Sequence, residues 1–385
     1  MPVDYTNVPS PCFVLEEELL RKNLQLIDSV QKSAGCKIIL ALKGFSMYSV
    51  FPIVKEYLSG ATASSLNEIR LINDFMGCQA HTYMPAYLDN EFTEVLERSS
   101  HITFNSLSQW ERFQSRVEEF KKNHPEHSLS CGIRVNPQYS EVTTDMYNPC
   151  VPGSRLGVTR DKLPDILPVG IDGIHFHTLC ENGSDTLERT LEALEAKFGD
   201  LLHQAKWLNM GGGHLMTREG YDIEKLIRLV QAIKAKYNLD VILEPGSAIA
   251  WRTGNLVTTV LDVMDSQGIH VAILDTSFAA HMPDTLEMPY KPVISKAYQG
   301  PVTGKPTYRM GGMTCLAGDF IGDYSFDSPL QIGDKIIFED MIHYTMVKTT
   351  TFNGVNLPSI GMVNSDGVFK LMRTFGYESF KDRLS

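Results

Sequence analysis

Eight short apolar runs, most of them separated by longer amphipathic stretches, constrain this 385-residue chain more than any other feature. The runs cover 37–43, 61–65, 81–86, 101–106, 130–136, 173–179, 207–211 and 241–246, and each is short enough to be one strand. Between them, 65–75 opens with Ser65 and carries Glu68 three residues on, a capping-box pattern. The stretches 185–205 and 222–237 repeat apolar residues every three or four positions and read as helices. Eight strands alternating with helices predict an α/β protein with a closed parallel (β/α)8 TIM barrel.

Beyond Arg252 the rhythm changes. The segments 256–264, 271–276, 307–314, 335–338 and 343–348 are strand-like and separated by Gly, Pro and Asp turns, which predicts a C-terminal antiparallel β-domain. The strand-like 11–15 precedes the barrel and is expected to pair with that domain. The expected division is a barrel over 16–252, with 1–15 and 253–385 forming the β-domain.

Composition narrows the class of function. A formal charge of −11 argues against nucleic acid as a partner and is compatible with a cationic small molecule. No run of about 18 apolar residues occurs, so no membrane span is expected. Acidic residues and Arg21 interrupt the first twenty or so positions, so no secretory signal is expected. The seven cysteines are scattered without CxxC pairing, the pattern of free thiols in a reducing cytoplasm.

Barrel enzymes carry their chemistry at the carboxyl ends of the strands, so the residues there matter most. Lys43 closes the first run. A lysine at such a position is ordinarily a surface cap, but in a barrel mouth its amine loses hydration, becomes easier to deprotonate and can condense with an aldehyde. His175 and His177 share one face of the sixth strand, since side chains two apart point the same way. They are open to three readings: core histidines, metal ligands, or an imidazole stacked on a flat cofactor ring. Further His and Asp ligands at later strand ends are missing, so no metal is expected. Gly211, Gly212 and Gly213 end the seventh run, either as a plain loop or as a backbone cradle for a phosphate. Glu244 ends the eighth; it is an ordinary ion-pair acid or the partner of a protonated ring nitrogen. Cys315 and Tyr344 stand out only through the comparison that follows.

In order, ALKGF (from Ala41), HFHTLCE (from His175), NMGGGH (from Asn209), LEPGS (from Leu243), TCLAGD (from Thr314) and YTMVKTTTFNG (from Tyr344) resemble the fold-type III pyridoxal 5'-phosphate (PLP) decarboxylases. That family includes ornithine and diaminopimelate decarboxylases. HFHTLCE, CLAGD and the intervening DTSFAAHMPDTLEMPY are most similar to its branch acting on carboxylated polyamine precursors, which yields norspermidine or spermidine. The resemblance implies an alanine racemase-like fold and a cytoplasmic homodimer with active sites shared between subunits. Lys43 would bind the cofactor covalently, His177 would stack on its ring, and Glu244 would pair with the ring nitrogen. Gly212, Gly213, Tyr344 and Cys180 would hold the phosphate. Cys315 would reach the site from the partner subunit and help to return a proton. Arg155, in GSRLG, matches an arginine near the site of ornithine decarboxylase.

Two departures bear on specificity. Ser247 stands where the relatives have the arginine of EPGR, leaving the phosphate one cation short. Leu316 follows Cys315, where an acid in the relatives serves the ornithine or diaminopimelate side chain. His281, Asp284, Glu287 and Asp319 are the candidate substrate-binding residues, with Glu287 expected to be the main amine ligand. The alternatives are a diaminopimelate decarboxylase, a non-catalytic PLP-binding protein and, for the two histidines, a metal-dependent barrel hydrolase.

Overall fold

The computed structural model describes residues 3–385 and divides them into two compact units, Asn23–Ile249 and the remainder from both ends of the chain.

The first unit is a parallel barrel. Its strands run Ala61–Ala63, Ala80–Tyr83, Ser99–Phe104, Ser130–Arg134, Gly173–His175, Trp207–Asn209 and Asp240–Leu243, each hydrogen-bonded to the next. The first strand is split around Ile39. Leu40–Ala41 pairs forward with Ala61–Ala63, while Lys37–Ile38 pairs back with Asp240–Leu243 and closes the ring. The expected barrel is therefore present, its first strand shared between two neighbours.

Alternation across each strand sorts the side chains. Ile102, Phe104, Ile133, Ile174, Leu208 and Leu243 are fully buried apolar positions. Their strand neighbours are polar or small: His81, Tyr83, His101, Gly132, Arg134, Gly173, His175 and Asn209. Those residues meet one another inside the barrel. Trp207 fills the floor because Gly132 and Gly173 have no side chain; a Cβ on Gly173 would lie 2.0 Å from the indole. His101 packs edge-on to Trp207 and face-on to His81, with ring centroids 3.9 Å apart in the latter pair.

The surrounding helices follow their apolar spacing. Leu107–Asn123 buries Trp110, Phe113, Val117 and Phe120 and starts at Ser106, whose hydroxyl accepts the Gln109 N–H. Ile223–Tyr237 starts at Asp222 and stops at left-handed Asn238. The capping box at Ser65 forms with a shift: Ser65 accepts the Glu68 N–H, but Glu68 reaches back to the N–H of Ser64. That helix, Leu66–Leu71, then widens into a π-turn over Ile72–Met76.

The second unit is a sheet centred on the 13-residue strand Gly254–Ser266. It turns through Gln267 and Gly268, both at positive φ, into Ile269–Leu274, a two-residue hairpin with the twist that favours such residues. It also pairs antiparallel with Cys12–Glu16 and Lys335–Phe338, which joins the N-terminal strand to the sheet. Two pairings are parallel: Cys12–Glu16 with Ser359–Val363, and Ile269–Leu274 with Thr307–Gly311. One expectation is corrected here. Residues 343–348 form a turn and a 3-10 segment instead of a strand, because Tyr344 adopts φ 42° and breaks the extended run.

Candidate active site at the barrel mouth

Lys43 leaves the first strand beside the turn that follows the last. Gly44 and Gly246 make that approach possible: a Cβ on Gly44 would sit 2.9 Å from the Gly246 Cα. The Lys43 amine lies 3.5 Å from His177 Nε2. It keeps an open path to solvent, yet protein surrounds it on its other sides, and that crowding governs its ionisation. Desolvation lowers its pKa first and the nearby Arg134 guanidinium second, against the opposing pull of Glu244, Cys180 and Glu68. The amine is thereby easier to deprotonate, and it must lose its proton before it can act as a nucleophile.

His177 is held from two directions. Its Nδ1 accepts the Gly212 N–H at 3.2 Å, and its backbone carbonyl accepts from Arg134 at 3.1 Å. Burial, then the charges of Lys43 and Arg134, keep the imidazole neutral, well below the usual histidine range. His175 is 1% exposed, and neither ring nitrogen has a hydrogen-bond partner. Its Nε2 lies 3.8 Å from Glu244 Oε2.

Glu244 is 6% exposed, and burial raises its pKa. The side chains of Asn209 and Thr62 oppose that shift; Asn209 Nδ2 donates to Oε1 at 2.7 Å while its own Oδ1 accepts the Gly211 N–H. One carboxylate oxygen is thus fixed by protein and the other faces the two histidines.

The glycine triplet shapes the remaining wall. Gly211 and Gly213 sit at φ 67° and 85°. A Cβ on Gly212 would meet the Glu244 carbonyl oxygen at 2.5 Å, and one on Gly213 the Leu179 carbonyl oxygen at 2.2 Å. Bare backbone is required here for the strand ends to close together. Cys180 lies within electrostatic reach of Lys43, its thiol pushed up by burial, and Ser247, the last residue of LEPGS, begins a short helix and is 8% exposed.

An amine, a neutral imidazole beside it, a buried carboxylate and a glycine cradle fit an aldehyde-bearing aromatic phosphate. The ligand atoms of His175, His177 and Glu244 also lie within 4.8 Å of one another, spacing that could hold a metal ion. The cationic groups of Lys43 and Arg134 crowd the same space and oppose a divalent ion, while they suit an anionic ligand.

Arg155 is exposed on this unit and lines a cavity of about 720 Å³ with Asn105, Asn136, Gln138 and Lys162. Its carbonyl accepts from Asn105 at 2.8 Å.

In the sheet unit, Cys315 is exposed, and its N–H donates to Asn353 Oδ1. Tyr344 is half-buried. Asp284 is 9% exposed; its Oδ2 accepts from Tyr290 and Thr345 at 2.6 and 2.7 Å, and its Oδ1 has no protein partner. Glu287 is ion-paired with Lys348. Two further candidates are engaged by protein groups. Asp319 commits both oxygens to Phe278 N, Ala279 N and Thr314, so it braces a loop and has no free acceptor for a substrate amine. His281 is fully buried; its Nδ1 accepts the Ser277 N–H and lies 3.0 Å from the Thr276 hydroxyl, while its Nε2 has no hydrogen-bond partner.

Arg134, Asn209, Tyr83 and Thr62 were missed by sequence reasoning. Their signal was available: Arg134 and Asn209 are polar residues inside apolar strands, in phase with His175 and His177 on the inner face.

Comparison with known proteins agrees with this geometry. Residues 45–342 match the family model described as pyridoxal-dependent decarboxylase, C-terminal sheet domain. The chain is 51% identical to carboxyaminopropylagmatine decarboxylase of Synechocystis sp., covering 98% of this chain and 96% of that one. It is 42% identical to carboxynorspermidine/carboxyspermidine decarboxylase of Campylobacter jejuni, covering 98% and 99%. The crystal structure of carboxynorspermidine decarboxylase from Campylobacter jejuni, complexed with norspermidine, superposes with a TM-score of 0.89 at 41% identity over 98% of this chain and 100% of that one.

Proposed function

The chain belongs to the pyridoxal-dependent decarboxylase family, and from that premise we propose that it removes CO2 from a carboxylated polyamine precursor, an α-amino acid extended by an aminopropyl-linked cationic chain. The observation that carries the reading is the desolvated Lys43 amine, 3.5 Å from His177 and across from buried Glu244.

When bound, PLP supplies an aldehyde for amines and a ring that accepts the electron pair released with CO2. Lys43 would hold it covalently through its amine, beside the carbon that loses CO2. His177, fixed by Gly212 and Arg134, would cover one ring face. Glu244 would keep a proton on the ring nitrogen, its carboxylate oriented by Asn209. The backbone of Gly212 and Gly213, with Ser247, Cys180 and Tyr344, would hold the phosphate; Ser247 contributes a hydroxyl where related sequences place a cation. Cys315 would return a proton to the substrate carbon in a partner subunit's site. Its exposure, and that of Met313, Leu316, Phe320 and Phe352 in the same unit, supports a homodimer that covers them.

Asp284 is the favoured substrate anchor. A buried carboxylate oxygen without a partner calls for a donor, and with Oδ2 committed to Tyr290 and Thr345 it offers a single-point contact suited to an ammonium. Glu287 is already neutralised by Lys348 and is the weaker candidate, the reverse of the order expected from sequence.

The relatives name two substrate types, and the 51% identity to the Synechocystis enzyme makes carboxyaminopropylagmatine a second candidate beside carboxynorspermidine and carboxyspermidine. Decarboxylation assays on all three, with meso-diaminopimelate as comparator, test the reading. Turnover of any carboxylated polyamine well above diaminopimelate supports it; preference for diaminopimelate, or no turnover, overturns it. A non-catalytic PLP carrier is disfavoured because the family match runs through the barrel into the sheet unit. Among the described residues no helix is long and apolar enough to cross a membrane.

A further inference from the structure

We propose that Tyr83 is a positioning residue for the barrel-mouth site: its ring seats the Arg134 guanidinium against the His177 backbone, and its hydroxyl, through Asn105, ties that seat to the turn carrying Arg155. This rests on the reading of Lys43 as the cofactor-binding amine and adds how its electrostatic setting is maintained.

Arg134 is a buried cation, 5% exposed, and among the described residues no carboxylate forms an ion pair with it. Such a charge is costly to bury without compensation. Besides the field of nearby Glu244, two contacts compensate. One is the hydrogen bond to the His177 carbonyl at 3.1 Å, and the other is the Tyr83 ring, 4.7 Å from the guanidinium carbon. The same ring meets His175 edge-on, with centroids 5.3 Å apart. Tyr83 therefore touches the guanidinium beside His177 and the imidazole beside Glu244, without itself reaching the cofactor-binding groups.

The ring is in turn fixed from outside the site. Its hydroxyl donates to Asn105 Oδ1 at 2.7 Å, an atom that also accepts the Gly157 N–H at 2.8 Å. Asn105 Nδ2 donates to the Arg155 carbonyl, and its own N–H is held by Gln109. Asn105, Arg155 and Gly157 all line the 720 Å³ cavity, so the wall of that cavity and the seat of Arg134 share one amide side chain. Movement of the turn would reach the active site through Tyr83.

The consequence falls on Lys43. His177 lies 3.5 Å from its amine, and the Arg134 charge acts on that amine against Glu244, Cys180 and Glu68. If the guanidinium loses its seat, its charge moves away and the amine holds its proton to higher pH.

The test uses holoenzyme carrying Tyr83→Phe, Tyr83→Leu or Arg134→Gln, stripped and reloaded with PLP across a pH series, with covalent attachment read from visible absorbance and borohydride trapping. Tyr83→Leu and Arg134→Gln should slow attachment at neutral pH by about tenfold and recover the wild-type rate roughly one pH unit higher. Tyr83→Phe keeps the ring under the guanidinium but cuts its tie to Asn105, so its profile should shift in the same direction by clearly less than that of Tyr83→Leu. Wild-type pH profiles for Tyr83→Leu or Arg134→Gln overturn the proposal, as does an equal shift for Tyr83→Phe and Tyr83→Leu. Should Tyr83→Leu not fold, Arg134→Gln against Tyr83→Phe decides. A wild-type protein that takes up no covalent cofactor overturns the underlying reading of Lys43 instead.

Discussion

At the scale of single residues the site is a set of groups held in unfavourable ionisation or unfavourable solitude. Lys43 loses hydration, Glu244 is buried behind an apolar strand, and His175 has two unpartnered nitrogens. Removing such a group should harm function more than folding. Lys43→Ala is expected to abolish borohydride-trappable cofactor while the apoprotein melts at or slightly above the wild-type temperature, since a desolvated amine is removed. Peptide mass mapping and calorimetry check both halves. Asp284→Asn should raise KM for the preferred polyamine precursor roughly 10- to 100-fold, the usual worth of a hydrogen bond to a charged group, with kcat changed far less. Glu287→Gln removes a carboxylate already ion-paired with Lys348 and should change KM only slightly. Steady-state kinetics on both variants decide between the two acids. Glu244 and Lys43 were legible in sequence because each ends an apolar run; the standing of Asp284 over Glu287 was not, since neither charge nor spacing reveals Lys348 as a competitor.

At the scale of elements, strand ends and turns do the positioning. The triplet 211–213 could be read in sequence as a loop or a cradle, and the structure shows why no other residue fits: two positive φ values and backbone atoms within 2.6 Å of any added Cβ. Gly213→Ala should therefore lower the melting temperature and weaken PLP retention on dialysis. Gly220→Ala is the matched control. Its φ is 80°, but nothing lies within 4 Å of the added carbon, so it should incur only backbone strain, about 1 kcal/mol, and keep its cofactor. Equal PLP loss in both variants would mean that crowding at Gly213 is irrelevant. Helices 184–202 and 223–237 follow directly from the apolar spacing of 185–205 and 222–237. The turn at 343–348 did not, because alternation there is real but Tyr344 takes a left-handed conformation that only surrounding contacts can impose.

For the whole molecule, burial of neutral histidines sets the acid limit. Desolvation is the leading cause that lowers His81, His101, His175, His177, His214 and His281, with His101, His214 and His281 pushed down to about 4. A base whose folded pKa lies below its unfolded value binds fewer protons when folded, so stability is full above the ordinary histidine range and falls as pH drops from about 6.5 towards 4. Each such group contributes a slope of up to about 1.4 kcal/mol per pH unit in that window. Denaturant midpoints measured between pH 7 and 5 should fall steeply, and a flat profile would contradict neutral burial. His81→Phe should flatten the curve, because the stacked pair with His101 can no longer be forced to share charge. The sequence by itself determined the barrel, the order of its strands and the residues at their ends, since periodicity and strand-end position are local properties that survive translation into three dimensions. Only the tertiary structure decided that the first strand splits to close the ring, that Arg134 acts on the lysine from a seat on Tyr83, and that Asp319 spends both its oxygens on a loop. Those outcomes depend on which distant side chains compete for the same oxygen or the same space, and a linear chain does not state who its competitors are.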